Sequence, residues 1–557
     1  MTKKFSTIKT ETPTRETLAA TYKTINDTLD TGDISAAVAA WESARRKLGD
    51  WGALVHLHFE QDTQNAEYKA AMEYRDEIAP TITNHDTALK TKLLQHSNRK
   101  AVEAAVGSHA LKMWEIDVTT FSPEIEPDLQ EESKLGARYT ELLSSAKVEI
   151  DGKVTNLSGL APYAQSMDRN MRHEAAKARW RFFEDNGAEF DEIYDKMVKL
   201  RTKIAHKLGF KSFTELGYRR MGRVDYNEAD VATYRDQVRL HVTPLIQRFF
   251  EKRRKEEGWD TLYAWDEAII DPRGNVVPAG DEAFLRAQAQ KMFEAMNGDL
   301  ASFYKKMNED GYMDLDNRPT KAPGGFCTSF PEFGMPYIYA NFNGTHHDID
   351  VFTHEMGHAF QNYSSQHFAN LDYHWPTSES AEIHSMSLEH LAYPQIGLMV
   401  GDENVERYCH MHLIQSIAFL PYGVCVDHFQ HEVYANPEAT PAQRHEMWKK
   451  LAALYMPWSN WGDVAYAAKG GRWQGQGHIY GSPFYYIDYT LAECCALQFW
   501  VKSRADYAKA MKDYVALCAQ GGSKSFLGLV ESAGLTSPFK AGVLEEAVKA
   551  AETFLKL

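Results

Sequence analysis

The pentapeptide HEMGH at 354–358 has the residue types and the spacing that can activate a water molecule on a zinc ion. On a helix, residues four apart lie on one face, so His354 and His358 can bind the same ion. Glu355 then lies beside a metal-bound water and can accept its proton. In a chain of 557 residues with 22 histidines and 77 acidic residues, chance supplies about 0.1 such strings. The string indicates a zinc peptidase, and its surroundings have to support that interpretation.

The apolar residues around the two histidines fit a helix that packs on one side only. Phe352, Met356 and Ala359 recur at helical spacing in a helix predicted over about 350–364, whereas the histidines face the other way. The alternative is that the histidines are surface residues or hydrogen-bonded core residues. The complete HExxH string favours metal binding over that alternative.

A catalytic zinc ion needs three protein ligands and one open position, so a third ligand must come from another segment. Segment 376–389 begins with Pro and hydroxyl residues, which often start helices, and carries three glutamates. We predict that Glu382, 24 residues after His358, is this ligand. Glu389 lies two turns further along the same face and would orient one imidazole. Glu379, one turn earlier, is a competing ligand that spacing does not exclude. One zinc ion per chain is predicted.

A mainly α-helical chain is predicted to position these residues. From about residue 14 to 300, apolar residues recur at three- and four-residue spacing among charges. Residues 312–344 break this pattern with Gly, Pro and Asn around short β-prone runs, which predicts a small antiparallel sheet directly before the HExxH helix. A free sheet edge near 337–342 could hold an extended peptide by main-chain hydrogen bonds.

Composition excludes several classes of function. The formal net charge of −16 opposes polyanion binding, so no nucleic-acid partner is predicted. No stretch approaches the roughly 18 apolar residues that span a bilayer, and the first residues lack the apolar core of a signal peptide. We therefore expect a cytoplasmic protein without a membrane partner. The six cysteines lack CxxC spacing and are predicted to be reduced, mostly buried thiols rather than metal ligands.

Four features of the chain together resemble the thimet oligopeptidase and oligoendopeptidase F family of zinc metallopeptidases. They are HEMGH, the ExxxxxxE spacing at 382–389, the string KAPGGFC at 321–327 and a distal His and Tyr segment. The motifs cover about 312–495. The amino-terminal half is similar only in its helical pattern and its length, which is closer to the oligoendopeptidase F branch. The resemblance implies a two-lobed, clam-like helical fold with a deep central channel, and cleavage of short peptides rather than folded proteins. We divide the chain into an amino-terminal helical lobe, 1–170, and a catalytic lobe, 171–557.

The distal segment 469–493 is rich in glycine and carries His478, Tyr485, Tyr486 and Tyr489. A phosphate-binding loop is one alternative, but the GxxxxGKS/T pattern is missing. Tyrosine clusters on helices are also ordinarily core residues. In the family that the chain resembles, a His and tyrosines near the start of a helix stabilise the oxyanion of amide hydrolysis. His478 and Tyr489 match those positions, whereas the spacing leaves Tyr485 and Tyr486 open as the second phenol.

We therefore predict a zinc-dependent oligoendopeptidase with Glu355 as the general base. One alternative is a metallocarboxypeptidase or dipeptidase, in which a single Arg could capture a peptide terminus. Another is a catalytically inactive helical peptide-binding protein, although binding alone does not need an intact general base. Substrate contacts are predicted for Tyr337 and Tyr339 in the sheet and for His346 and His347 after it. For the two histidines, solvated loop residues are the simpler alternative. The sequence leaves the oligomeric state open.

Overall fold

α-Helices make up most of the protein, as the sequence predicts. The computed structural model describes residues 4–322 and 324–557, so Pro323 of the string KAPGGFC lies outside the described residues. The first helices are α1 (Arg15–Asp30), α2 (Ile34–Gln61), α3 (Ala66–Leu94), α4 (Arg99–Val106) and α5 (Ser108–Asp117). The next are α6 (Glu126–Ser144), α7 (Ala161–Ala164), α8 (Arg169–Asp185), α9 (Gly187–Lys207), α10 (Phe213–Arg220), α11 (Glu228–Gln237), α12 (Thr243–Glu256), α13 (Glu282–Met296) and α14 (Gly298–Asp310). The last are α15 (His347–Ser364), α16 (Ser378–Leu391), α17 (Gly397–Val400), α18 (Val405–Ala435), α19 (Pro441–Tyr455), α20 (Ala465–Ala468), α21 (Gly477–Gly481), α22 (Tyr486–Ala505), α23 (Tyr507–Cys518), α24 (Phe526–Ser532) and α25 (Val543–Leu555).

The first five helices have a hydrophobic core of their own. It includes Leu18, Trp41 and Trp114, and the rings of the two tryptophans meet edge to face at 5.4 Å. Most of the later helices share a second and much larger core. The predicted division of the chain at residue 170 stays a prediction.

A β-hairpin, which the sequence predicts only as a turn, lies between α6 and α7. It consists of β1 (Val148–Ile150) and β2 (Lys153–Thr155), paired antiparallel. Asp151 and Gly152 between them have φ angles of 52° and 68°, as a two-residue hairpin loop of this kind requires. Asp-Gly between alternating residues is the sequence signal for such a hairpin.

A three-stranded sheet precedes α15, in the region where the sequence predicts one. Its strands are β3 (Met313–Asp316), β4 (Phe326–Phe330) and β5 (Met335–Phe342), in the order β3-β5-β4. β4 pairs antiparallel with β5, as predicted, but β3 pairs parallel with it. β5 is therefore the central strand, and the prediction that 337–342 forms a free edge is wrong. The short polar strand β3, which the sequence pattern does not indicate, occupies that edge.

Lys321, the first residue of KAPGGFC, fixes the segment between β3 and β4. Its buried Nζ donates to Oδ1 of Asp314 at 2.9 Å and to the carbonyl oxygen of Asp316 at 2.7 Å. Both acceptors belong to β3, so this lysine holds the chain against the sheet just before it enters β4. A buried ammonium is stable there because it has an anionic partner and further carbonyl acceptors.

The HExxH helix α15 begins three residues earlier than predicted, because Asp348 anchors the loop before it. The Asp348 carboxylate accepts hydrogen bonds from the backbone N–H groups of Asn343 and Gly344, at 2.9 and 2.7 Å. Gly344 has a φ of 82°, in the region that favours glycine. The predicted apolar stripe of α15 is confirmed: Phe352, Met356 and Ala359 are buried.

Helix α16 packs directly against α15 at Gly357, and it also packs against α22. A Cβ at position 357 would lie 2.5 Å from the carbonyl oxygen of His384 and 2.6 Å from Cα of Ser385. The second variable position of the HExxH string is thus a glycine because two helix backbones meet there. This contact sets the distance between the histidines of α15 and the glutamates of α16.

Helix α18 runs through the core beside α22. A stretch within Asp402–Ala435 has the length and mean hydropathy of a membrane span, but 67% of it is buried inside the protein. The core helix of a large protein has this character. All six cysteines are free and all but Cys327 are buried, which confirms the prediction of mostly buried thiols.

Candidate metal centre and active site

Helices α15 and α16 bring the three predicted metal ligands together. The ligand atoms of His354, His358 and Glu382 all lie within 4.8 Å of one another. Oε2 of Glu382 is 3.2 Å from Nε2 of His354 and 3.4 Å from Nε2 of His358. Among the described residues, no fourth His, Cys, Asp or Glu side chain joins this cluster.

The two distances from Glu382 to the imidazole nitrogens fit a tetrahedral metal ion. Ligand atoms about 2.0–2.2 Å from a zinc ion, at tetrahedral angles, are about 3.3–3.5 Å apart. Burial opposes ionisation of Glu382, but the imidazoles of His358 and His354 hold its pKa well below its ordinary value. The group therefore offers one anionic oxygen and two nitrogens, and it leaves one tetrahedral position without a protein ligand.

Glu379, the competing ligand, lies outside the cluster. Its Oε1 accepts a hydrogen bond from the hydroxyl of Tyr226 at 3.3 Å. Burial, together with the charge of Asp488, raises the pKa of Glu379 to about 8, so this carboxyl is mostly protonated at neutral pH. The geometry favours Glu382 over Glu379 as the third ligand.

Glu389 contacts the first histidine of the cluster. Nδ1 of His354 is 2.7 Å from Oε1 of Glu389, and Nε2 of His412 is 2.7 Å from Oε2 of the same carboxylate. Burial opposes ionisation, but these two hydrogen bonds lower the pKa of Glu389 to about 2. A carboxylate at Nδ1 places the ring proton there and leaves Nε2 of His354 free for a metal ion.

The hydrogen bonds continue from Glu389 into the core through residues that sequence reasoning missed. Burial opposes protonation of His412, but Glu389 raises its pKa to about 9, so His412 donates from both nitrogens. Its Nδ1 is 2.7 Å from the hydroxyl of Tyr393, which is 3.1 Å from Nδ1 of His390. Nε2 of His390 lies 2.9 Å from Oε1 of Glu493. These residues come from α16, α18, α22 and the turn after α16, and no spacing in the sequence connects them.

Glu355 is buried beside the metal cluster, and one of its oxygen atoms has no protein partner. Oε2 makes no hydrogen bond with any described residue. Burial raises the pKa of Glu355, which suits a carboxylate that has to accept a proton. A Cβ at Gly325 would lie 3.7 Å from Oε1 of Glu355, so the chain enters the edge strand β4 directly at this carboxylate.

Two of the three predicted tyrosines face the metal cluster. The hydroxyl of Tyr485 donates to Oε1 of Glu382 at 2.9 Å. Burial raises the pKa of Tyr489, and the charges of Glu382 and Glu355 raise it further, so this phenol stays protonated as a donor. The ring of Tyr486 packs edge to face against Phe419 and Tyr422, at 5.6 and 5.8 Å, and against His478, at 5.0 Å.

His478 lies among the tyrosines, 5.7 Å from the ring of Tyr485 and 5.9 Å from that of Tyr489. Nε2 of Gln476 is 2.8 Å from Nδ1 of His478, while Oε1 of Gln476 accepts from the hydroxyl of Tyr422 at 2.7 Å. Since Tyr422 occupies the amide oxygen, the amide nitrogen donates to Nδ1. The ring proton of neutral His478 is therefore on Nε2. Burial lowers the pKa of His478, which favours this neutral donor.

The structure does not make Tyr337 and Tyr339 available to a substrate, so that prediction is wrong. Both lie on the central strand β5 and are buried. The hydroxyl of Tyr339 lies 2.6 Å from the carbonyl oxygen of Ala322 and 2.8 Å from that of Glu60, which share its one proton, and the hydroxyl of Tyr337 accepts from Gln61. Alternating aromatic residues on a strand predict burial as readily as binding.

His346 and His347 precede and begin α15 rather than ending a strand. His346 is buried, and its Nε2 lies 3.3 Å from the side-chain nitrogen of Gln415. His347 is exposed. Substrate contact by these two histidines stays a prediction.

In this helical protein, two histidines and a glutamate surround one point, and a carboxylate oxygen without a protein partner lies beside them. This is the arrangement of an HExxH hydrolase. The chain belongs to peptidase family M3. The model of this family matches residues 162–272 and 291–549, and a model of the Peptidase M3 N-terminal domain matches residues 5–121.

Known proteins similar to the chain are also peptidases. PZ peptidase A, solved with an inhibitor, has a TM-score of 0.95 and 41% identity over 99% of both chains. A proposed oligoendopeptidase F from Bacillus anthracis has a TM-score of 0.90 and 38% identity over 99% of this chain and 98% of its own. An oligoendopeptidase F homologue from Borreliella burgdorferi is 20% identical over 510 residues, 87% of this chain and 84% of the relative. The resemblance to the oligoendopeptidase F branch is confirmed, and the chain is a peptidase.

Proposed function

We propose that the protein is a zinc-dependent oligoendopeptidase that hydrolyses internal bonds of short, unstructured peptides. His354, His358 and Glu382 would hold one zinc ion, which supplies Lewis-acid activation of a water molecule and of the scissile carbonyl. The observation that carries this proposal is the buried, partner-free Oε2 of Glu355 beside three ligand atoms that lie within 4.8 Å of one another. A peptide-binding protein without activity would not need that carboxylate.

Glu355 moves the proton in this mechanism. Its Oε2 accepts a proton from the attacking water and delivers it to the nitrogen of the leaving amine. Burial favours this role in two ways, because it raises the basicity of the carboxylate and excludes competing water. Glu389 and His412 keep the imidazole of His354 in one orientation and one tautomer throughout.

Tyr489 and His478 stabilise the oxyanion that forms when the carbonyl is attacked, and Tyr485 joins them when its one hydroxyl proton turns from Oε1 of Glu382 to the oxyanion. Each carries a proton to donate: the phenols because burial keeps their pKa values raised, and His478 on Nε2 because Gln476 occupies Nδ1. Donors that are in place before the reaction stabilise developing charge with little reorganisation. Tyr485, rather than Tyr486, is the second phenol in this mechanism.

The substrate binds as an extended strand along β4. β4 is an edge strand, and it begins beside Glu355, so a peptide paired with it would pass the reactive carboxylate. A folded protein would have to unfold to bind in this way. We therefore expect cleavage of peptides of about 5–20 residues, the length that an extended strand at about 3.3 Å per residue can place within a protein of this size. A two-lobed shape with a central channel and a cytoplasmic location remain parts of this proposal.

A peptide blocked at both ends, with a fluorophore and a quencher, tests this function together with metal analysis. We expect about one zinc ion per chain and cleavage at internal bonds. Glu355→Gln should retain zinc and lower kcat by several orders of magnitude, and Glu382→Gln should lose zinc. Glu379→Gln is the matched control, because it is one turn away and should retain both zinc and activity.

Several results would contradict the proposal. Normal turnover of zinc-loaded Glu355→Gln would exclude the general-base mechanism. Loss of zinc from Glu379→Gln, but not from Glu382→Gln, would exclude the ligand set. Failure on the blocked peptide, with cleavage of the same peptide carrying free ends, would favour an exopeptidase. Rapid degradation of casein would contradict the limit on substrate size.

A further inference from the structure

Residues 482–485, between α21 and α22, form a β-turn with a strained backbone. The N–H of Tyr485 donates to the carbonyl oxygen of Ser482 at 3.2 Å, and this hydrogen bond closes the turn. Pro483 occupies the second position, and Phe484, with a φ of 66°, occupies the third. This is the pattern of a type II turn, whose third position normally needs glycine. In the described part of the chain, Phe484 is the one buried non-glycine residue with a positive φ, and such strain persists only where the surroundings impose it.

The ring of Phe484 is anchored between α10 and α18. Its centroid lies 5.7 Å from that of Tyr218 on α10, and 5.1 and 5.5 Å from those of His431 and Tyr434 on α18. A Cβ at Gly217 would lie 2.6 Å from Cδ2 of Phe484, so α10 has no side chain at the point where the ring packs. A glycine at position 484 would relieve the backbone strain, but it would leave the turn without this anchor.

Two buried side chains fix the peptide groups on either side of Phe484. Its N–H donates to Oε1 of Gln430 at 2.9 Å, and its carbonyl oxygen accepts from Nη2 of Arg223 at 2.5 Å. The same Nη2 donates to Oδ1 of Asp488 on α22 at 2.7 Å. Nε and Nη1 of Arg223 have no hydrogen-bond partner among the described residues. The turn and the start of α22 therefore receive every hydrogen bond that this guanidinium makes with those residues, although a guanidinium is costly to bury.

The turn lies between the three proposed oxyanion donors. On one side, the N–H of Ser482 donates to the carbonyl oxygen of His478 at 2.9 Å. On the other side, Tyr485 is the last residue of the turn, and the ring of Tyr489 lies 4.9 Å from that of Tyr485. A change in the turn would therefore move both phenols relative to His478. A displacement of about 1 Å in an active site can lower a rate about 10²-fold.

We propose that Phe484, Arg223 and Gln430 are positioning residues for catalysis, which hold the turn so that both phenols and the imidazole reach the oxyanion. This inference rests on the proposed peptidase function. Among the described residues, none of the three hydrogen-bonds a proposed metal ligand, so they act through the oxyanion donors and not through the metal. If the ring of Phe484 only filled the core, loss of its backbone hydrogen bonds would lower stability and leave the chemical step unchanged. The kinetics of the folded protein separate these two roles.

Gln430→Met removes the acceptor for the N–H of Phe484 and retains the length of the side chain. We expect kcat on the blocked peptide, counted per bound zinc ion, to fall about 10- to 100-fold with little change in KM. Gln430→Glu should restore most of this loss, because the acid form of a buried glutamate keeps a carbonyl acceptor and one donor. Gln237→Met is the matched control, since Oε1 of buried Gln237 accepts from the N–H of Gly542 at 3.0 Å, outside the site. It should lower stability without lowering kcat, and equal kcat values for the two methionine variants would overturn the proposal.

A double-mutant cycle tests whether Gln430 acts through the phenols. The probe is a phosphinic peptide, whose tetrahedral anionic group stands in for the oxyanion, and calorimetry measures its binding to the zinc-loaded protein. Gln430→Met should weaken this binding about 10-fold. In a protein that already carries Tyr485→Phe and Tyr489→Phe, the same change should weaken it by less than about 3-fold, because residues that act through one another do not contribute independently. An equal loss in both backgrounds would overturn the assignment.

Phe484→Leu keeps the proposal testable if Gln430→Met does not fold. Leucine retains an apolar side chain in the core but loses the ring contacts that hold the positive φ, so kcat should fall about 10-fold or more. Phe250→Leu on α12 is the control, because Phe250 is also buried but lies outside the site. Equal kcat values for these two leucine variants would overturn the proposal and leave the peptidase function intact. If the zinc-loaded wild-type protein cleaves no blocked peptide, the proposed function fails, and this inference fails with it.

Discussion

Replacing Gly357 by alanine tests whether the contact between α15 and α16 sets the metal geometry. The new Cβ would lie 2.5 Å from the carbonyl oxygen of His384 and 2.6 Å from Cα of Ser385. Both atoms belong to the backbone of α16, so no side chain can turn away to relieve the contact. The two helices have to move apart.

The size of that movement can be compared with the tolerance of a metal site. Real Cβ atoms stay at least 3.0 Å from such neighbours and are ordinarily beyond 3.4 Å, so α16 has to shift by about 0.5–0.9 Å. Metal–ligand distances tolerate only about ±0.2 Å. Glu382 would leave its position relative to His354 and His358. We expect the affinity for zinc to fall by about 10- to 100-fold or more.

Competition for zinc with a chromophoric chelator measures this affinity, and circular dichroism verifies that the variant is folded. Gly298→Ala is the matched control, because Gly298 also lies on a helix but a Cβ there meets no atom within 4 Å. The control should be neutral or slightly stabilising, since alanine is the better helix former. A folded Gly357→Ala protein with unchanged affinity for zinc would refute the reasoning.

Three further predictions follow from the site and its surroundings. Tyr489→Phe should lower kcat about 10²–10³-fold with little change in KM, whereas Tyr486→Phe should change kcat far less; equal kinetic effects would contradict the assignment. Glu389→Gln should lower the affinity for zinc about 10- to 100-fold in the chelator assay, and unchanged affinity would contradict its role. Burial lowers the pKa of His431 from 6.5 to about 4, so the unfolded state binds more protons and stability falls as pH falls from 6.5 to 4. His431→Gln should remove up to about 3 kcal/mol of this loss in urea unfolding, whereas exposed His367→Gln should not; identical pH profiles would exclude the effect.

The helical architecture could be predicted because it rests on local periodicity. The stripe of Phe352, Met356 and Ala359 specifies one buried face of α15, and the structure buries all three. Sheet order could not be predicted in the same way. β3 is four residues long and half polar, and its pairing with β5 depends on Lys321 and on the helices that carry it there. Local sequence alone does not show whether a strand is paired on one side or on both sides.

The cluster of predicted ligands could be anticipated because the spacing of its members repeats the period of a helix. His354 and His358 are four residues apart, and Glu382 and Glu389 are two turns apart on one face of α16. The choice between Tyr485 and Tyr486 could not be made, because it depends on how the chain turns into α22. Tyr485 precedes the first residue of that helix and reaches Glu382, whereas Tyr486 points toward Phe419. His412 and Glu493 had no signal at all, since their contacts join distant segments.

Helix α16 shows how packing assigns different chemistry to one residue type. Its three glutamates are one or two turns apart, yet the pKa is raised to about 8 for Glu379, held well below its ordinary value for Glu382, and lowered to about 2 for Glu389. Glu379 and Glu382 are buried and the side chain of Glu389 is only 14% exposed, so burial alone cannot separate them. The three carboxyl groups differ in the number of imidazoles that contact them. No imidazole hydrogen-bonds Glu379, whereas two imidazoles face each of Glu382 and Glu389. On this helix a glutamate carries a lowered pKa only where α15 or α18 presents a histidine to it. The proposed metal site is therefore a property of the helix contacts, and perturbing those contacts should change metal binding even when every proposed ligand is retained.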